Sequence, residues 1–189
     1  MRTNLLRSLI VASAVATPLV AQQPTQTATP TPIVPAVGEM APDFTLPAAG
    51  KDGITSEPVT LSKLRGKVVV LAFYPADRTS GCTAEMTKFR DDFTKLFGDG
   101  VVVLPISKDS LGSHASWAKD MNMPFVLVSD TAGSVARTYG SQSAPGRYFS
   151  RNVFVVGKDG KIAHTIVRLN ALSEDAYTAL GAAVAAAKK

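Results

Sequence analysis

A single cysteine, Cys82, is the only thiol among the 189 residues. With no second cysteine the chain cannot close a disulfide on itself. It also lacks the Cys-x-x-Cys pair of a dithiol oxidoreductase, because the first place of that pair is Thr79. Histidine is nearly as scarce: His114 and His164 lie far apart with no further ligand at metal spacing, so no metal site is expected. There is no phosphate loop, dinucleotide fingerprint or serine-hydrolase elbow, and no cofactor is expected. Aromatics are only 7% of the chain and the bases are scattered rather than clustered with them, which removes nucleic-acid binding. The apolar stretch near the N-terminus is too short and too rich in Ser and Thr to span a membrane.

That stretch has another use. Arg2 and Arg7 lead into the apolar residues from Leu9 to Ala16, the pattern of a secretory signal. Cleavage fits after Ala16, where Ala14-Val15-Ala16 is small-x-small, or after Ala21; the competing reading is a frayed N-terminal helix. No cysteine follows to carry a lipid. Residues 1–21 are therefore expected as a signal and the protein as exported, with the periplasm as its destination and no membrane attachment after cleavage. Losing two bases and no acid leaves 18 bases against 15 acids, so the charge falls from +5 to +3. Residues 22–36, rich in Gln, Thr and Pro, cannot bury enough apolar area to fold and form a flexible linker. Residues 37–189 form one domain, and 46% hydrophobic content supports a real core. A lone thiol in an oxidising compartment is either buried and inert or chemically employed.

Val68-Val69-Val70-Leu71-Ala72-Phe73-Tyr74, ended by Pro75, suits a strand covered on both faces. Met86, Phe89, Phe93, Leu96 and Phe97 then recur at helical spacing, predicting one helix stopped by Gly98-Asp99-Gly100. Val101 to Ile106 is a second buried strand. Asp109 or Ser110 caps a helix through Met121 with Leu111, Ala118 and Met121 inward, and His114 is taken as a polar helix residue. Phe125 to Val128 is a third strand, and Asp130 caps a short helix ending at Gly140. Val153 to Val156 and Ile162 to Val167 flank the turn Gly157-Lys158-Asp159-Gly160. Ser173 caps a last helix bearing Tyr177, Leu180 and Val184. Ahead of all these, Phe44-Thr45-Leu46 and Pro58-Val59-Thr60-Leu61 predict an N-terminal β-hairpin. The order implies an α/β/α sandwich around a mixed β-sheet, the thioredoxin-like α/β class.

Cys82 falls in the first turn of the long helix. Unpaired backbone N–H groups and the positive end of the helix dipole there favour the thiolate, which is the competent nucleophile. A lone helical cysteine more often fills core space. The residues around it reverse that balance. Pro75-Ala76-Asp77-Arg78-Thr79-Ser80-Gly81-Cys82 contains Pro-x-x-x-Thr-x-x-Cys between a buried strand and a helix, and in this the chain resembles the peroxiredoxins, the AhpC/TSA-like proteins. The likeness runs from Ala41-Pro42-Asp43-Phe44-Thr45-Leu46 through Leu61-Ser62-Lys63-Leu64-Arg65-Gly66-Lys67 to the late hairpin. With Ser113-His114, Trp117, Pro124-Phe125 and Ser129-Asp130 it looks most like the bacterioferritin-comigratory, or Q-type, branch.

The resemblance implies that Cys82 attacks hydroperoxides, that Thr79 turns its hydroxyl toward sulfur and peroxide, and that Pro75 closes the pocket. Without it, Thr79 is a helix cap and Pro75 a strand terminator. The family arginine corresponds to Arg151, which stands just ahead of a late strand, with Arg147 as the competitor; Glu85 corresponds to the carboxylate that holds it. The place of the resolving cysteine found in many Q-type members is taken by Thr87. The resemblance therefore implies a one-cysteine enzyme reduced by an external thiol: a thioredoxin-like protein, a glutaredoxin or a small thiol. A monomer or weak homodimer is expected. Two other readings keep the fold and change the role: a non-catalytic binding module with an inert Cys82, or a redox relay in which oxidised Cys82 pairs with a partner's cysteine.

Overall fold

The computed structural model describes residues 34–143 and 146–189. The expected signal and the linker up to residue 33 lie outside them. Val34, near the end of that linker, already packs beside Gly140 and the core.

The chain begins with four short strands, β1 (Thr45–Leu46), β2 (Ala48–Gly50), β3 (Gly53–Ile54) and β4 (Val59–Thr60). The expected N-terminal hairpin is present as β1 paired antiparallel with β4. Its two arms enclose a second hairpin, β2–β3, that joins the main sheet. Ala48, Ala49 and Gly50 carry none of the β-branched or aromatic residues that mark a strand, so the sequence gives no sign of it.

Next come β5 (Val68–Phe73), α1 (Ser80–Asp91), α2 (Phe93–Leu96), β6 (Val101–Ser107) and α3 (Leu111–Asp120). After them follow β7 (Leu127–Ser129), α4 (Ser134–Thr138), β8 (Val153–Val156), β9 (Ile162–Ile166) and α5 (Glu174–Ala187). The seven-stranded sheet runs β3-β2-β7-β6-β5-β8-β9. β5, β6 and β7 are parallel and the flanking strands antiparallel, so the sheet is mixed as expected.

β5 explains the unbroken apolar run. Val68, Val70 and Ala72 point into one core with Met86, Phe89, Trp117, Leu180 and Val184. Val69, Leu71 and Phe73 point into the other, with Val135, Tyr139, Phe149 and Phe154. Alternation along a strand puts successive side chains on opposite faces, and here helices cover both. Helices α1, α2, α3 and α5 lie over the first face and α4 over the second, an α/β/α sandwich.

The caps form where serine and aspartate predicted them. Ser110 and Ser173 accept backbone N–H groups of Ser113 and Ala176. Asp130 accepts from Ser134 and Ala136 at the start of α4. Two expectations are corrected. The single long helix is broken at Asp92, and the kink lets Phe93 stack on Phe125 with ring centroids 6.3 Å apart. On α3 the fully buried residues are His114, Trp117 and Ala118, whereas Leu111 and Met121 are only half-buried. His114 thus belongs to the interior.

Candidate active site

β5 ends at Phe73, and Pro75 prevents its continuation because proline offers no N–H to a ladder. The five-residue loop Pro75–Thr79 leads to α1, so the site sits past the carboxyl end of a central parallel strand, where open α/β sheets place ligands. Cys82 is the third residue of α1 and is fully buried in the core face beneath it. Thr79 occupies the N-cap position, yet its hydroxyl donates to the Ala76 carbonyl at 3.2 Å instead of accepting a helix N–H. Pro75 is half-buried beside the loop.

Arg151 comes from the segment ahead of β8, the antiparallel neighbour of β5. Its Nη2 donates to Cys82 Sγ at 3.5 Å, and its Nη1 pairs with Glu85 Oε2. Of the two arginine candidates, Arg151 is the one on the sulfur; Arg147 is exposed. Asn152 anchors this placement. Its carbonyl accepts Phe73 N at 2.9 Å, tying the segment to the end of β5. Its buried side chain accepts Arg168 N–H and donates to Ser141 Oγ.

Glu85 is fully buried, one turn beyond Cys82. Burial pushes its carboxyl up to about 7, against the pull of the Arg151 guanidinium. Its second oxygen, Oε1, has no hydrogen-bond partner among the described residues. For Arg151, burial lowers the tendency to hold its proton, but Glu85 and Cys82 outweigh that and the net direction is up. The guanidinium therefore bridges two acceptors and is a fixed cation beside the sulfur. Gly81 makes room for it, since a Cβ there would stand 3.2 Å from Arg151 Nη2.

A nucleophilic sulfur at a helix start with a guanidinium on it is suited to attack an electrophile whose leaving atom gains negative charge. The family model described as AhpC/TSA family matches residues 37–165. The chain belongs to that family. A Coxiella burnetii protein that carries the name peroxiredoxin bcp is 41% identical over 133 residues, 67% of this chain and 85% of its own length. The chloroplastic peroxiredoxin Q of Triticum aestivum is 41% identical over 128 residues, 67% of this chain and 57% of its own length. Among solved structures, peroxidoxin BcpB from Mycobacterium tuberculosis superposes with a TM-score of 0.67 at 30% identity, covering 80% of this chain and 97% of that one. Xanthomonas campestris peroxiredoxin Q gives 0.64 at 27% identity, covering 76% and 92%. The AhpC/TSA protein described here is a peroxiredoxin enzyme of the Q-type branch, a thiol-dependent peroxidase.

Sequence reasoning missed three contributors: the space left by Gly81, the anchor at Asn152, and a buried cluster around Asp77. Ser113-His114, one turn after the Ser110 cap, was the available signal for the last, because a serine–histidine pair on a helix face otherwise apolar needs a polar partner.

Proposed function

We propose that the Cys82 thiolate attacks the terminal oxygen of a hydroperoxide. An S–O bond forms and the O–O bond breaks. The departing oxygen leaves as water or an alcohol once it has taken up a proton, and Cys82 becomes a sulfenic acid. The observation that carries this is the Arg151 guanidinium 3.5 Å from Sγ at the start of α1. It stabilises the thiolate before attack and the developing charge during it. Glu85 holds Arg151 and Pro75 keeps bulk water from the sulfur. The Thr79 hydroxyl turns from Ala76 to meet the peroxide.

Hydrogen peroxide and organic hydroperoxides are the substrates. A Xanthomonas campestris bacterioferritin comigratory protein at 26% identity is described as having alkyl peroxide reduction activity, which supports the second class. With one cysteine, the sulfenic acid is reduced by an external thiol: a thioredoxin-like protein, a glutaredoxin or a small thiol. Since Cys82 is fully buried, that thiol reaches it after the first turn of α1 opens. The protein acts as a monomer or weak homodimer. It is exported to the periplasm, a reading supported by Arg2, Arg7 and the apolar stretch behind them.

Peroxide consumption with dithiothreitol as reductant tests the reaction. Wild type is expected to turn over and Cys82→Ser is not; equal rates overturn the proposal. Mass spectrometry of the oxidised protein mixed with each thiol class identifies the reductant, and fractionation of cells tests the location.

A further inference from the structure

The loop Pro75–Thr79 carries the two residues that the proposed reaction assigns to the peroxide pocket, and little within it fixes its shape. Arg78 lies at φ +62°, in the left-handed region that a non-glycine residue occupies at a cost. Something outside the loop must hold it. Helix α3 does so at two points, although it contributes no group to the sulfur.

One point is exposed: Arg78 Nη2 donates to Ser116 Oγ at 2.9 Å and to Asp120 Oδ2 at 2.6 Å. The other is buried. The Asp77 side chain is only 3% exposed, and its carboxylate takes three donors. Tyr74 OH lies 2.7 Å from Oδ1, while Ser113 Oγ and His114 Nδ1 lie 2.6 Å and 3.0 Å from Oδ2. The Asp77 backbone N–H donates to Asp109 Oδ2 at 2.9 Å, and that oxygen also accepts Ser107 Oγ. Burial pushes the Asp77 carboxyl up, but the hydrogen bonds from His114, Ser113 and Tyr74 outweigh it and the net direction is down, as for a carboxylate kept ionised. His114 Nε2 is buried with no partner among the described residues. Nδ1 faces the carboxylate and is the nitrogen that donates to it.

We propose that Asp77 and His114 are positioning residues for the peroxide pocket: their buried contact locks the Pro75–Thr79 loop onto α3 and so places Pro75 and Thr79 over Cys82. The inference rests on the reading of Cys82 as the peroxide nucleophile. Apolar side chains would fill the same space at lower desolvation cost. A carboxylate held by three donors does what they do not, which is to fix one geometry for a loop with few bonds of its own.

The test compares two reagents at one sulfur. Hydrogen peroxide needs the assembled pocket, whereas iodoacetamide, like an external thiol, alkylates the buried sulfur when the first turn of α1 opens. In Asp77→Asn the second-order rate constant with peroxide should fall by about tenfold to a hundredfold, the range expected of a misplacement near 1 Å, while iodoacetamide alkylation is slowed by no more than about threefold or is accelerated. His114→Asn keeps an N–H for Asp77 and should retain most of the peroxide rate, while His114→Leu should fall as Asp77→Asn does. That pair carries the test if Asp77→Asn does not fold. Peroxide and iodoacetamide rates falling together, or neither changing, overturns the proposal, as does equal loss in His114→Asn and His114→Leu. Wild-type protein reacting with peroxide no faster than the unfolded chain would instead sink the reading of Cys82 itself.

Discussion

Replacing Arg151 by Met removes the cation from the sulfur and keeps comparable bulk. The Nη2–Sγ separation of 3.5 Å sets the scale: Coulomb's law gives about 1 kcal/mol for full water screening and about 5 kcal/mol at an effective dielectric of 20. Cys82 is fully buried and the Arg151 side chain only 16% exposed, which favours the upper figure. Glu85 draws on the same guanidinium and takes part of it back. An intermediate loss of about 2–4 kcal/mol of thiolate and transition-state stabilisation corresponds to about 30-fold to 1,000-fold in rate. The assay is single-turnover oxidation of Cys82 by hydrogen peroxide, followed by competition against a reference peroxidase. Substitution also strands Glu85 in the interior, but its carboxyl, already pushed up to about 7, then takes up a proton and the fold survives. Arg151→Met combined with Glu85→Gln should therefore fold at least as well as Arg151→Met alone without recovering the rate. Arg147→Met should react like wild type. A rate in Arg151→Met within about threefold of wild type would refute the electrostatic reasoning.

Gly81→Ala should push Arg151 Nη2 outward from its 3.2 Å approach, slowing peroxide oxidation by about tenfold while helix propensity raises the melting temperature or leaves it unchanged; an unaltered rate would show that the guanidinium yields freely. Glu85 predicts a pH dependence of stability. Its folded value near 7 lies above the ordinary 4.5, so the folded chain binds more protons in that window. The stability linked to it is fully present below about 4.5 and is lost as pH rises through 7, at a slope of up to about 1.4 kcal/mol per pH unit. Urea denaturation at several pH values should show this slope in wild type and lose it in Glu85→Gln; parallel profiles would contradict it. Phe89→Ala should cost about 3–5 kcal/mol, because the ring is fully buried edge-on to Phe97, Phe125 and Tyr177; a loss below about 1.5 kcal/mol in chemical denaturation would show that the site collapses.

Much of the fold was legible because its signals are local. An unbroken run from Val68 to Phe73 admits few readings other than a doubly covered strand, and Ser110, Ser173 and Asp130 announce helix starts by chemistry that acts within a few residues. The β2–β3 hairpin was not legible. Ala48, Ala49 and Gly50 form a strand because the antiparallel partner β7 stands beside them, which is a tertiary cause. The break at Asp92 is likewise set from outside, by Phe125. At the site, spacing and resemblance named Cys82, Glu85 and Arg151, and the structure brings these three together. The roles of Asp77, His114 and Asn152 were hidden because the bonds that define them reach residues far along the chain, as Asp77 does to His114 and Asn152 to Phe73.

The proposed reaction requires the folded chain to activate its one thiol. Sulfenic acid formation at Cys82, trapped with dimedone and timed by mass spectrometry, can be compared between the native protein and the same chain unfolded in urea. The native sulfur should react faster by about a hundredfold or more. Equal rates in the two states would contradict it.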